Sequence, residues 1–198
     1  MLRLLKGTVL AGALLVSGGA LAAQGMPHVA LLTTMGAIVV ELDPVHAPLS
    51  VANFLRYVQE KTYDDTLFYR VVPGFVIQAG TYGADGKGRP THDPIPLEAN
   101  NGLKNVRGAL SMARNEEPMT AEAEFFIVLA DNPGLDPNPN DTENKTGYAV
   151  FGHVVQGMDV VDDISRLTLG GTGPFGPAAP LIPVVINKAL LLPATTSH

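Results

Sequence analysis

The sequence predicts a mainly β domain, closed as a barrel or folded as a sandwich. Three observations carry that expectation. Short runs rich in Val, Leu, Ile and Phe recur along the chain, only two segments have helical periodicity, and the connections are long and rich in Gly, Pro, Asn and acidic residues. No repeat or linker divides the 198 residues, a length suited to one domain with a substantial core.

His28–Thr33 and Ala37–Leu42, split at Met35-Gly36, read as a hairpin. A helix is expected from Pro48 to Glu60, because Val51, Phe54, Leu55 and Val58 fall at i, i+3, i+4 and i+7. Pro48 suits its first turn, where the missing N–H has no use. Leu67–Val72 and Phe75–Gln78 read as strands about a Pro73-Gly74 turn. Further strands are expected at Gly108–Ala113, Phe125–Leu129, Ala149–Val155 and Pro183–Leu191, with a short helix near Met158–Arg166.

Composition excludes several function classes. There is no cysteine, so disulfides, thiol nucleophiles and Cys-ligated metals are ruled out. The net charge of −6 argues against a nucleic-acid partner, whose phosphates call for Lys and Arg. Met1–Ala23 reads as a signal peptide: Arg3 and Lys6 form a positive start, Gly7–Ala23 is uncharged, and Ala20-Leu21-Ala22 offers a small-x-small cleavage site. The apolar stretch is short for a membrane span and is broken by Gly18-Gly19. The expectation is an exported, periplasmic, soluble chain whose mature domain runs from 24 to 198, with 11 basic against 19 acidic residues and a charge of −8.

The stretch that carries chemistry is Phe68-Tyr69-Arg70-Val71-Val72-Pro73-Gly74-Phe75-Val76-Ile77-Gln78-Ala79-Gly80. Strict alternation places Phe68, Arg70 and Val72 on one face, and Phe75, Ile77 and Ala79 opposite Val76 and Gln78. One arginine then stands among large apolar groups beside a tight turn.

This stretch resembles the cyclophilin family of peptidyl-prolyl cis-trans isomerases, particularly its exported bacterial members. The resemblance extends through Val40-Glu41-Leu42, Ala52-Asn53-Phe54, Asn105–Arg114, Glu124-Phe125-Phe126-Ile127 and Tyr148–Gly152. It implies a closed eight-stranded antiparallel barrel capped by two α-helices, with a proline pocket on the outer face. It also implies that Arg70 is catalytic, that Phe75, Val76, Phe126 and Leu135 line the proline pocket, and that Gln78 is a polar substrate contact. Ala113 and Arg114 match the strand that pairs with substrate backbone, and Tyr148 stands where many members have His. The implied partners are proline-containing segments of unfolded or exported proteins. No cofactor and no metal are expected, and a monomer is the default.

Three positions depart from the family pattern. Glu124 replaces the usual Gln before the Phe-Phe pair; as a substrate-side carboxylate it can pair with Arg70, which would lower activity, or with Arg114, and the expected partner is Arg114, which leaves Arg70 free. Gly134 replaces a Trp or Phe, which thins one wall and implies weak binding of cyclosporin-like ligands. Glu116, Glu117, Glu122 and Glu124 make the groove-forming segment acidic, read either as a solvated loop or as a preference for basic clients. Glu124 and Gly134 also support an alternative: a catalytically weak or inactive peptide-binding or chaperone module on the same scaffold. A calcium loop at Asp136–Asn140 lacks its Gly and its final Glu, the five histidines lack metal-ligand spacing, and a hydrolase built on Ser111 lacks the nucleophile elbow.

Overall fold

A computed structural model describes residues 25–140, 146–170 and 175–193. Met1–Ala23, expected to be a signal peptide, lies outside them, as do parts of the 131–147 and 169–180 connections. Eight strands form one closed barrel in the order β1-β2-β7-β5-β6-β4-β3-β8, with every pairing antiparallel. The strands are β1 His28–Thr33, β2 Gly36–Leu42, β3 Thr66–Val72, β4 Val76–Gly83, β5 Ala109–Met112, β6 Phe125–Val128, β7 Val150–Gln156 and β8 Val185–Leu191. Helices α1 Pro48–Gln59 and α2 Met158–Ser165 contribute to the same interior. Closure removes the exposed edges that an open sheet would present.

Alternation builds the interior. In β2, Ile38, Val40 and Leu42 point inward and are buried. From α1, the face carrying Val51, Phe54, Tyr57 and Val58 joins them. The Phe54 ring packs against Tyr63, Phe125 and Phe151 at centroid distances of 5.0–5.3 Å. This aromatic plug leaves the interior filled.

β3 departs from the expected alternation, and the departure positions the site. Phe68 faces Ala79 whereas Arg70 faces Gln78, so two residues advance on β3 for one on β4. That extra residue is a β-bulge. Phe68 and Val71 are both buried in the interior, while Tyr69 and Arg70 both lie on the outer side, half-buried. Strict alternation wrongly put Phe68 and Arg70 on one face. Within β4 the alternation holds, with Ile77 and Ala79 pointing inward and Val76 and Gln78 outward; Phe75, expected on the face of Ile77 and Ala79, precedes the strand in the turn and packs on the outer side with Val76. β4 also runs longer than expected, to Gly83.

The turn between β3 and β4 needs its glycine. Phe75 donates its N–H to the Val72 carbonyl, and Gly74 has φ +71°, a left-handed conformation after Pro73. Gly80 is the second such position, at φ +130°. A Cβ there would stand 2.5 Å from the Ala123 carbonyl oxygen, so only glycine lets β4 approach the chain entering β6.

Candidate active site

Outside the barrel lies a second apolar cluster, made of Val76, Ala109, Ala113, Phe126, Val128, Leu135 and Val150. Phe75, Leu103 and Tyr148 pack on it but stay half-exposed. Both faces of β5 and β6 are therefore buried, one against each cluster. Over the outer cluster sits a cavity of about 240 Å³ lined by Arg70, Phe75, Val76, Gln78, Ala113, Arg114, Phe126, Leu135 and Tyr148. Those are all the expected catalytic and substrate-binding residues except Glu124. Glu124 lines a neighbouring hollow of about 180 Å³ with Thr81, Thr120 and Glu122, and the two cavities share Ala113 and Arg114.

Each wall has its own support. Tyr148 meets Phe126 edge-on at 5.5 Å, and the Arg114 guanidinium lies 4.6 Å from the Tyr148 ring centroid. Arg114 also donates to the Gly147 and Glu116 carbonyls and to Thr146 Oγ1, tying the two sides of the groove together. Behind Leu135 and Tyr148 is Asn105, which is buried. Its amide donates to the Leu135 carbonyl (3.1 Å) and to Asp136 Oδ1 (3.1 Å), and its Oδ1 accepts from Ser111 (2.7 Å). Ser111 is thus a buried structural hydroxyl. Burial opposes ionisation of Asp136, but hydrogen bonds from the Asn105 N–H and amide and from Lys104 outweigh it and hold the carboxyl below its ordinary range.

At the polar end, Arg70 Nη1 donates to Gln78 Oε1 at 3.1 Å. Gln78 Nε2 donates to Glu124 Oε2 at 2.8 Å, and the Tyr69 hydroxyl donates to the same oxygen at 2.8 Å. Thr81 donates to Glu124 Oε1. Burial, with the Glu124 charge beside it, pushes the Tyr69 phenol well up, so it stays a donor. The Glu124 backbone is fixed from below: Asn53 on α1 donates to the Glu122 carbonyl, the buried Tyr63 hydroxyl to that of Ala123, and the Ala113 N–H to that of Glu124.

An arginine beside a water-shedding apolar slot, on the outside of a closed eight-stranded barrel, can grip a small ring and donate to a group next to it. The model of the family described as cyclophilin type peptidyl-prolyl cis-trans isomerase/CLD matches residues 28–189, a span that contains the whole arrangement. The chain belongs to this family. Among relatives, peptidyl-prolyl cis-trans isomerase A of Dickeya dadantii (strain 3937) is 43% identical over 190 residues, covering 96% of this chain and 97% of the relative. Peptidyl-prolyl cis-trans isomerase B of Escherichia coli (strain K12) is 45% identical over 141 residues, covering 71% and 85%. The fold is shared with a cyclophilin type peptidyl-prolyl cis-trans isomerase from Cryptosporidium parvum, at TM-score 0.72 and 23% identity, covering 86% of this chain and 99% of that one.

The expected Glu124–Arg114 pair does not form. Glu124 makes an ion pair with neither arginine; its carboxylate is taken up by Tyr69, Gln78 and Thr81, which the β3 bulge and β4 place nearer to it. It reaches Arg70 only through Gln78. Tyr69 and Thr81 were not singled out from the sequence, because a bulge leaves no periodic trace and alternation set Tyr69 on the face opposite Arg70. Ala113 and Arg114 lie just past the end of β5. Gly134 is exposed and does not line the cavity, so that wall rests on Leu135 within a 3-10 turn, Pro133–Leu135. Of the acidic segment, Glu116 and Glu117 are exposed, while Glu122 accepts a hydrogen bond from Thr91. Among the described residues no helix is long and apolar enough to cross a membrane.

Proposed function

We propose that this chain accelerates cis–trans rotation about X-Pro bonds in exported polypeptides, with Arg70 as the catalytic residue. Phe75, Val76, Phe126 and Leu135 grip the proline ring, and Gln78, Ala113, Arg114 and Tyr148 hold the flanking backbone. Membership of the isomerase family assigns the reaction, and the supporting observation is that Arg70 lines the 240 Å³ cavity together with Phe75, Val76, Phe126 and Leu135. The signal-like character of Met1–Ala23 supports delivery to the periplasm, with 24–198 as the working domain.

The chemistry asks little of the protein beyond this. The two forms of an X-Pro bond differ by only about 0.5–1 kcal/mol, yet amide resonance puts a barrier of roughly 18–20 kcal/mol between them. No bond breaks. Twisting the amide localises the nitrogen lone pair and reduces the polarity of the carbonyl. A fixed N–H donor from Arg70 then bonds that nitrogen more strongly in the twisted state than in the planar one, which is selective transition-state stabilisation. The apolar wall holds the ring and excludes water, so the carbonyl side turns against a stationary proline. About 6–7 kcal/mol of barrier lowering gives roughly 10⁴–10⁵-fold acceleration.

A protease-free isomerisation assay on a prolyl tetrapeptide tests this. Arg70→Ala is expected to lose about a hundredfold or more in kcat/KM while retaining its melting temperature, in line with loss of a transition-state donor. Equal rates in both proteins contradict the reading and favour the inactive peptide-binding module.

A further inference from the structure

Glu124 lies outside the proline cavity, yet it is joined to the arginine at the cavity's rim by two hydrogen bonds in series. A carboxylate only accepts hydrogen bonds, and a guanidinium only donates them. Gln78 stands between the two and has one end of each kind. Its Nε2 must therefore face Glu124, at 2.8 Å, and its Oε1 must face Arg70, at 3.1 Å. Turning the amide over would set donor against donor at one end and acceptor against acceptor at the other.

The carboxylate is itself held rigidly. Tyr69 donates to Oε2 and Thr81 to Oε1. The Tyr69 ring packs against Tyr82 at 4.8 Å and Phe175 at 5.4 Å, which also meet each other at 4.8 Å, and this three-ring cluster restrains its hydroxyl. The β3 bulge is what places Tyr69 and Arg70 side by side on the outer face, where the Tyr69 hydroxyl donates to Glu124 and accepts from Gln78 Nε2 while Arg70 donates to Gln78 Oε1. A negative charge at the far end also polarises the Gln78 amide and strengthens its oxygen as an acceptor for Arg70.

We propose that Glu124 is a positioning residue: through Gln78 it fixes the guanidinium of Arg70 in the orientation that meets the twisting amide. This rests on Arg70 being catalytic. It differs from a direct substrate contact, because the effect passes through Gln78 and changes how well rotation is catalysed rather than how well peptide is bound. The same place filled by an amide offers an acceptor without the charge, so the relay is retained in weakened form.

The test is a mutant cycle read by kcat, KM and the Arg70 side-chain Nε–Hε resonance. Glu124→Ala is expected to lower kcat about tenfold, the scale of one charge-assisted hydrogen bond, with KM within about twofold. Glu124→Gln should recover most of that loss. On a Gln78→Leu background, Glu124→Ala should change kcat no further. The Arg70 resonance should shift in Glu124→Ala and also, more weakly, in Thr81→Val, which removes a support of the carboxylate that Gln78 does not share and serves if the alanine variant folds poorly. A raised KM with unchanged kcat overturns the proposal in favour of substrate contact. Persistence of the full effect on the Gln78→Leu background overturns it in favour of action through space, and an unmoved resonance overturns it outright. If Arg70→Ala costs no activity, the underlying catalytic reading fails instead, and the resonance still reports whether the relay exists.

Discussion

The barrel interior and the outer cluster are built from the same strands, and both are apolar. Their difference is completion. Inside, Phe54, Tyr63, Phe125 and Phe151 interlock and two helices supply the remaining surface. Outside, Val76, Phe126, Val128 and Leu135 have only half-exposed Phe75, Leu103 and Tyr148 over them, and a cavity remains. A filled apolar region contributes stability, and an unfilled one with a polar edge contributes a binding site. Neighbouring residues of β6 illustrate the division: Phe125 points in and Phe126 points out.

That pair gives the largest expected effect. Phe125→Ala should cost about 3–5 kcal/mol of unfolding free energy, since a fully buried ring in an interlocked plug leaves a void. Phe126→Ala should cost less in denaturant titrations but raise KM for a prolyl peptide about tenfold or more. Equal stability losses with no change in KM would erase the distinction between the two clusters.

Asn105 sharpens the comparison at the boundary. It is buried beneath the outer cluster and holds the carbonyl of Leu135 together with Asp136. Asn105→Ala should cost about 1–3 kcal/mol, because it leaves buried polar groups without partners, and should loosen the Leu135 wall enough to raise KM several-fold. A stability loss with KM untouched would assign Asn105 to the scaffold alone.

The smallest effect is an acid response. The carboxyls of Asp136, Asp43 and Asp162 titrate below their ordinary range in the fold. Burial opposes this at Asp136 and Asp43 but is outweighed by their hydrogen-bond donors, and at Asp162 the Arg107 hydrogen bond leads. A group whose folded value is depressed contributes its full stability above its unfolded value, near pH 4, and loses it as pH falls through the folded value. Melting temperature should therefore decline below about pH 4. In Asn105→Ala, which removes the side-chain amide donor to Asp136 and keeps the backbone N–H, the decline should be slightly shallower, and an identical slope would contradict the assignment.

Much of the fold was legible. The periodicities of Val51–Val58 and of β2 report burial on one face, and the Pro73-Gly74 turn announces itself through backbone chemistry. The resemblance implied eight strands and gathered nine residues that one cavity unites. The polar side of the site was less legible. The bulge that turns Tyr69 and Arg70 outward depends on pairing with β4, not on local pattern. Glu124 was expected on an arginine because charge alone suggests that partner. Its neighbours Tyr69, Gln78 and Thr81 come from strands that only the closed sheet brings within reach.

Catalysis by Arg70 at this cavity is tested most directly by separating the grip on proline from the turning of its bond. Exchange spectroscopy on a prolyl peptide at saturating concentration measures cis–trans interconversion in the bound state. Wild type is expected to exchange thousands of times faster than free peptide, while Arg70→Ala shifts the Val76, Phe126 and Leu135 resonances on peptide addition yet leaves exchange slow. Fast exchange in Arg70→Ala, or peptide that leaves those resonances unmoved in wild type, contradicts it.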